Sequence, residues 1–402
     1  MKTDYPIHRD KCCGCKLCMH VCTTGAISFA ADRTGATYPV IDETKCIACK
    51  KCEKMCPVNR DLKNSAPTCF AAVNKNRERL SQSASGGVFA AVAENVLKNG
   101  GVVYGAAMRS DEAMILRVAH ERIDAASELP RLQRSKYVQS DMEGIYAALA
   151  ADLKAGHTVF FSGTPCQVAA VKSFCGEREN LLLADIICHG VPSQQLFSDY
   201  LKTLSQKQRV SEFLFRTKES GWGLCAKVIT IDRKGKWRER RIPCNISSYY
   251  KMFLRCETYR SSCYTCPYAT RERVGDLTLG DFWGVEKSAE TFAECKERRI
   301  EPTEGISCVL VNSEKGRAYL ENADLIRIET DFAAVSRENG QLTHPSPCPP
   351  SRERIFSTYE KQGYPALEKE FNKTLGAKKY LILLKNRVSP KIRMRIRKLL
   401  GK

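Results

Sequence analysis

The chain has 402 residues, of which 43% are hydrophobic and 27% charged, and a formal net charge of +19. These values exclude wholesale disorder and leave room for two or three domains. Its 21 cysteines cannot reflect a small fold in need of disulfide staples. No run approaches the roughly 18 apolar residues of a membrane span, and the polar N-terminus carries no signal core. The expectation is a cytoplasmic chain whose reduced thiols serve as metal ligands or redox groups.

Nine cysteines lie within the first 56 residues. Cys12, Cys15, Cys18 and Cys22 are spaced C-x2-C-x2-C-x3-C. Cys46, Cys49, Cys52 and Cys56 repeat the run, and Pro57 follows. This is the bacterial ferredoxin pattern, in which three close cysteines wrap one 4Fe-4S cluster and the fourth reaches across to the other. The expected sets are Cys12, Cys15, Cys18 with Cys56, and Cys46, Cys49, Cys52 with Cys22. Cys13 is off register and is not expected to be a ligand. A pair of zinc sites fits less well, because zinc usually takes two separated CxxC pairs. Thr23 stands where ferredoxins often have a turn-shaping proline.

Asn59–Thr68 reads as a polar linker. Beyond it, apolar runs of strand length alternate with helical patterns. Strands are expected at Cys69–Val73, Val102–Ala107, Met114–Ala119, Thr158–Phe161, Leu181–Ile187, Leu277–Phe282 and Ser307–Val311. A hairpin is expected at Lys227–Ile231 and Trp237–Ile242, turning near Gly235. Helices are expected at Gly87–Lys98, at Asp141–Lys154 from an Asp cap, and at Ser193–Leu204. The fold class is α/β with a mixed sheet. The expected domains are an α+β ferredoxin-like segment (1–60), a main α/β domain (69–343) and a helical, basic C-terminal tail (351–402), with the proline-rich His344–Pro350 as a boundary.

Three segments of the main domain carry further cysteines: Ser162–Gln167 with Cys166, Cys188–Pro192, and the CxxC of Cys263 and Cys266. Cys166 and Cys188 each follow an expected strand, and α/β folds place sites at such strand ends. Together the four thiols suffice for a third 4Fe-4S cluster, with Cys256 as a substitute ligand. Other readings stay open: a nucleophilic Cys166 with His189 as its base, a dithiol redox pair, or inert buried thiols.

These segments recur in order with Ser85-Gly86-Gly87, Ser135-Lys136-Tyr137-Val138, Arg260–Pro267 and Gly280-Asp281-Phe282-Trp283-Gly284. In this they resemble the beta subunits of coenzyme F-420 hydrogenases and dehydrogenases, over about residues 69–315. The family consists of iron–sulfur flavoproteins, so the resemblance implies an FAD, although the chain has no GxGxxG or Walker loop. Ser83, Ser85, Gly86 and Gly87 precede a helix whose N-terminus could hold a phosphate or flavin edge. Lys136 could supply a cation to a reduced flavin or an acidic substrate. Gly163, Thr164 and Pro165 form a turn that lets a flavin approach Cys166. His189, beside Cys188, could tune a potential or pass a proton. Asp281 and Trp283 could touch cofactor or substrate, although an aromatic turn filling the core is the simpler reading.

The implied activity is that of an oxidoreductase joining a small-molecule, two-electron substrate through FAD and 4Fe-4S clusters to ferredoxin or another electron-transfer protein. The alternative is an electron-transfer adapter subunit with no substrate of its own. The last 30 residues hold 11 Lys/Arg and no acid. Basic residues such as Lys391, Arg393 and Arg395 interleave there with Ile392, Met394 and Ile396. The tail reads as solvated, or as an amphipathic segment meeting an anionic membrane surface at the inner face of the membrane. Nucleic acid is disfavoured, since no recognition motif is present.

Overall fold

The computed structural model describes residues 9–64, 67–111, 115–205, 208–219, 221–377, 379 and 382. The expected amphipathic character of residues 383–402 lies outside the described residues.

The N-terminal segment is a small hairpin, β1 (Ile27–Ala31) and β2 (Thr37–Ile41), flanked by short helices at Leu17–Val21 and Lys51–Lys54. Both helices start from a left-handed lysine, Lys16 at φ 63° and Lys50 at φ 57°. Two residues earlier, Gly14 and Ala48 are left-handed too, at φ 67° and 52°. A left-handed non-glycine residue costs roughly 1–2 kcal/mol, so a path repeated in both cysteine runs is imposed by the loop. Alternating handedness gathers backbone N–H groups into a concavity that favours an anionic group.

The main domain is built on an eight-stranded sheet. Its strands are β3 (Thr68–Asn74), β4 (Val102–Ser110), β5 (Leu116–Ile123), β6 (Val159–Gly163) and β7 (Leu181–Ile186). A separate three-stranded antiparallel sheet follows: β8 (Arg209–Leu214), β9 (Cys225–Ile231) and β10 (Trp237–Pro243). The large sheet is completed by β11 (Leu277–Asp281), β12 (Ser307–Val311) and β13 (Leu325–Thr330), in the order β13-β3-β12-β11-β7-β6-β4-β5. β4, β6, β7 and β11 are mutually parallel, while β5, β12 and β13 pair antiparallel to their neighbours. β6 is buried at every position. This is the signature of a parallel strand covered on both faces, and it explains why the strand reads as a short apolar run.

On one face the sheet packs against the helix Val88–Lys98, and on the other against Ile145–Lys154 and Pro165–Cys175. Leu17 and Val21 share that second core with Tyr146, Leu149 and Val168, so the ferredoxin-like segment is packed directly on the main domain. The expected linker is docked as well. Asn64 donates its backbone N–H to Arg273 O at 2.7 Å and its amide to Gly275 O at 2.8 Å.

The helix expected to start at an Asp141 cap starts instead at Ile145, after left-handed Gly144. The Asp141 carboxylate is taken by Lys16 at 2.8 Å, and its backbone bridges to β5. The C-terminal helices Ser351–Gln362 and Tyr364–Leu375 bury Phe356, Tyr359, Tyr364 and Leu367 in a third core with the helix Gln194–Leu204 and the small sheet. The proline-rich stretch before them is anchored by buried Ser346, whose hydroxyl donates to His189 O at 2.6 Å.

Gly86 lies where β3 meets the start of β12. Its carbonyl accepts from Asn74 N at 2.7 Å, and its N–H donates to Ser307 Oγ at 3.0 Å. A Cβ here would stand 2.2 Å from Ala72 O and 2.6 Å from Ser307 N, both rigid backbone atoms. Gly86→Ala is expected to cost about 1–3 kcal/mol, read as a lower urea midpoint at unchanged m-value.

Candidate functional site

Two adjoining cavities lie at the C-terminal ends of the parallel strands, where open α/β sheets bind ligands. The first, of about 330 Å³, is ringed by Cys166, Cys188, Cys263 and Cys266, with Cys13, Pro165, Tyr268 and Arg273 in its wall. The second, of about 420 Å³, is lined by the loop around Ser83, Ser85 and Gly87 and by the ends of β4, β6, β7 and β11. They share Thr164, Cys188, His189, Gly190 and Val191.

The four main-domain cysteines come from three separate segments. Cys166 stands in the first turn of a helix held by a reciprocal cap: Thr164 N donates to Gln167 Oε1 at 3.1 Å, and Pro165 opens the helix. Cys188 follows β7, and the Cys263–Cys266 pair lies in a loop tied by Cys263 N to Arg260 O at 3.0 Å. Burial pushes the Cys263 thiol up to about 12 and Cys266 up to about 11. Cys188 is raised well above its ordinary value, also chiefly by burial. Cys166 is raised first by its contact with Cys13, then by burial. Thiols this poorly solvated ionise readily only beside a strong positive charge, as a metal core provides.

Among the described residues, no three His, Cys, Asp or Glu side chains gather tightly enough for a single metal ion. The thiols instead ring a larger space. That fits a four-iron cluster, which spreads its ligands, better than zinc, which draws four sulfurs to about 2.3 Å. In the N-terminal segment Cys56 is within electrostatic reach of Cys12, and Cys52 within reach of Cys22. Each fourth cysteine therefore stands near the other run. Cys46 and Cys49 are exposed.

Of the residues expected to meet a flavin, Ser83, Ser85, Gly87, Lys136, Gly163, Thr164 and His189 line the larger cavity. Gly86 does not, and its N–H is already used by Ser307. Pro165 faces the cysteine cavity. Lys136 donates to the carbonyls of Arg131, Leu132 and Gln133 at 3.2, 3.0 and 2.6 Å, so its ammonium ties down a loop. Burial, and then Arg134 beside it, lower its pKa to about 7. His189 is lowered by desolvation, partly offset by Asp281.

Several polar residues of this cavity carry no sequence motif. His120 is buried between Ser140 Oγ at 2.8 Å and Ser162 O at 3.1 Å, stacks on Phe161, and is held neutral, its pKa lowered to about 4 by burial. Gln133 is buried, yet its side-chain carbonyl has no hydrogen-bond partner. An orphaned acceptor in a ligand-sized cavity is a group that a bound molecule can satisfy. Ile186 and Leu254, both exposed apolar residues, line the same space. Asp281 is fixed from two sides, by Arg216 Nη1 at 2.7 Å and Trp222 Nε1 at 3.0 Å, and Trp222 stacks on Trp283 at 4.4 Å. Asp281 and Trp283 thus line the cavity and also build its wall.

The strand-end cavities and the cysteine runs define an iron–sulfur protein with an adjoining organic-ligand site. Residues 156–332 match the family described as the C terminus of the coenzyme F420 hydrogenase/dehydrogenase beta subunit, and residues 11–60 match the 4Fe-4S dicluster domain. The chain belongs to the F420 hydrogenase/dehydrogenase beta-subunit family through that main domain and carries an N-terminal dicluster domain. A protein of Methanocaldococcus jannaschii described as an uncharacterized ferredoxin is 32% identical over 78 residues, 19% of this chain and the whole of that protein. A chain of the F420-reducing NiFe hydrogenase complex from Methanosarcina barkeri aligns at 14% identity over 79% of this chain and 96% of that one, with a TM-score of 0.38. Among the described residues no helix is long and apolar enough to cross a membrane.

Proposed function

We propose that this protein is an iron–sulfur flavoprotein oxidoreductase that links a small-molecule two-electron substrate to a one-electron carrier such as ferredoxin. The observation that carries this reading is the wall shared by the two cavities, Thr164 and residues 188–191. An FAD in the larger cavity would exchange a hydride with substrate and release electrons singly to iron–sulfur clusters.

Cys166, Cys188, Cys263 and Cys266 are the ligands of the main-domain cluster. The sets Cys12, Cys15, Cys18, Cys56 and Cys46, Cys49, Cys52, Cys22 hold the other two. The loop Ser83–Gly87 and the Gly163–Thr164 turn bind the flavin, and Gln133 offers it an acceptor. Lys136 orders the loop that carries Gln133 and sets positive charge beside the ring. His189, in the common wall, holds or releases a proton at its imidazole near both groups. Gly190 keeps that wall thin, since a Cβ there would lie 2.3 Å from the Tyr259 ring. Exposed Cys46 and Cys49 mark the surface where the external carrier meets the second N-terminal cluster.

The test is anaerobic purification of the full chain with iron, sulfide and flavin quantified. The expected result is about twelve iron and one FAD per chain, with reduction of the clusters by an organic hydride donor. Zinc without flavin overturns the reading. Bound flavin with no donor active in the absence of a second subunit would make the chain an adapter.

A further inference from the structure

The two N-terminal cysteine loops share a backbone path but have different surroundings. Ile47 holds in the second loop the place of Cys13 in the first, and it is 67% exposed. Cys13 turns inward. Its thiol is within hydrogen-bonding reach of Cys15 and Cys166, and it lines the four-cysteine cavity. Residues 12 and 13 are therefore one peptide bond apart yet face two different thiol sets.

Arg260 spans the same gap and is 3% exposed. Its Nε donates to Cys12 O at 2.6 Å, and its Nη2 lies 3.6 Å from Cys12 Sγ. Nη2 also donates to Thr37 O at 2.7 Å, Nη1 reaches Gln139 Oε1 at 3.3 Å, and the guanidinium lies 4.1 Å over the Tyr38 ring. Its own carbonyl accepts from Cys263 N. Cys12, Cys13 and Cys263 are all within its electrostatic reach. Arg260 forms no ion pair with a carboxylate among the described residues, although most other buried or half-buried cations of the domain interior have one, as Arg216 and Arg273 do. A buried guanidinium with no counter-charge costs several kcal/mol. The anionic groups in place to offset it are the thiolates on either side.

We propose that Cys12–Cys13 and Arg260 form the electron junction between the cluster held by Cys12, Cys15, Cys18 and Cys56 and the main-domain cluster, with Arg260 as the shared cation that poises both. This rests on the cluster assignments above. The step is a single electron: one cluster is oxidised by one as the other is reduced by one, and no bond forms or breaks. Cys13 shortens the path, because its thiol touches a ligand of one cluster while its backbone continues into a ligand of the other. Arg260 is a positioning residue. Its charge favours the reduced, more negative form of each cluster.

The test compares the anaerobic full chain with Arg260→Gln, Arg260→Lys and Cys13→Ser by iron content and EPR-monitored potentiometry. Arg260→Gln is expected to keep all iron and lower two of three cluster potentials by about tenfold in each reduction equilibrium, or 59 mV for one electron, leaving the third in place. Arg260→Lys is expected to restore most of that shift. Potentials that all move alike, or none that move, overturn the junction. Cys13→Ser is expected to keep full iron, whereas loss of four iron would make Cys13 a ligand and overturn its assigned role. Should Arg260→Gln fail to fold, the wild-type chain still decides. On full reduction, the EPR signal of the N-terminal pair is expected to broaden through the main-domain cluster and to sharpen when that cluster is absent. An unchanged signal overturns the proposal. Eight iron in the wild-type chain would instead refute the third-cluster assignment on which it rests.

Discussion

Asp185→Ala is expected to lower the stability of the main domain by about 3–5 kcal/mol, a large share of the roughly 5–15 kcal/mol typical of a folded domain. Asp185 and Arg273 are 0% and 1% exposed. The Asp185 Oδ1 accepts from Arg273 Nη2 at 2.7 Å, Arg273 Nε at 3.2 Å and Thr278 Oγ1 at 2.9 Å. The Oδ2 accepts from Gly275 N at 2.8 Å. Removing the carboxylate leaves a guanidinium, a backbone N–H and a hydroxyl buried together without their acceptor, and each adds a desolvation penalty. The cost also reaches the site. Arg273 donates to Tyr268 O at 2.6 Å and stands in the wall of the four-cysteine cavity, so the pair ties the end of β7 to the loop after Cys266. Urea unfolding under anaerobic conditions measures the loss, and iron content of the surviving folded fraction is expected to fall with it. The double variant Asp185→Leu/Arg273→Met is expected to recover much of the stability, because an apolar pair of similar volume leaves no charge unpaired. A double variant no better than the single one would show that the pair itself stabilises the fold.

The strands of the large sheet were legible because a strand covered on both faces must be almost wholly apolar, and Val159–Phe161 and Leu181–Ala184 are. The Ser193 cap was legible because its hydroxyl serves the local N–H of Leu196 at 3.2 Å. Asp141 misled for the same reason: an acidic residue before a helical pattern resembles a cap. Its carboxylate is claimed by Lys16 from a distant part of the chain, which no local pattern records. The third strand of the small sheet was missed because Arg209–Leu214 is half polar and carries a bulge between Val210 and Glu212, which breaks the alternation. The cysteine spacing gave the N-terminal thiols, since three ligands of each cluster are local in sequence. His120, Gln133 and Arg216 have no spacing signal at all. Each is a single polar residue whose meaning comes from what the sheet edge brings next to it. Cys13 is the sharpest case: its register argued against membership of the ferredoxin sets and could say nothing of its contact with Cys166.

Cys263→Ala is expected to reduce iron from about twelve to about eight per chain, with the N-terminal clusters retained. Cys263 is the ligand to choose because no spare thiol is positioned to replace it. Cys256, the nearest in sequence, does not line the cavity, and its left-handed backbone is fixed by Tyr264, whose hydroxyl donates to Cys256 O at 2.5 Å. Cys166 differs, because Cys13 is already in contact with it. Cys166→Ala is therefore expected to lose less iron than Cys263→Ala, and Cys13→Ser/Cys166→Ala to lose as much. Flavin content distinguishes a lost cluster from a collapsed fold. The larger cavity takes only Cys188 from the cysteine set, so Cys263→Ala is expected to keep its FAD while the flavin no longer passes electrons to the N-terminal clusters. Equal iron in Cys263→Ala and wild type would show that the four-cysteine cavity holds no cluster. Retained flavin reduction with unreduced N-terminal clusters would place the main-domain cluster in series between them. That order follows from the geometry, because the cavity lined by His189 and Thr164 touches the four-cysteine cavity, and only the latter reaches Cys13.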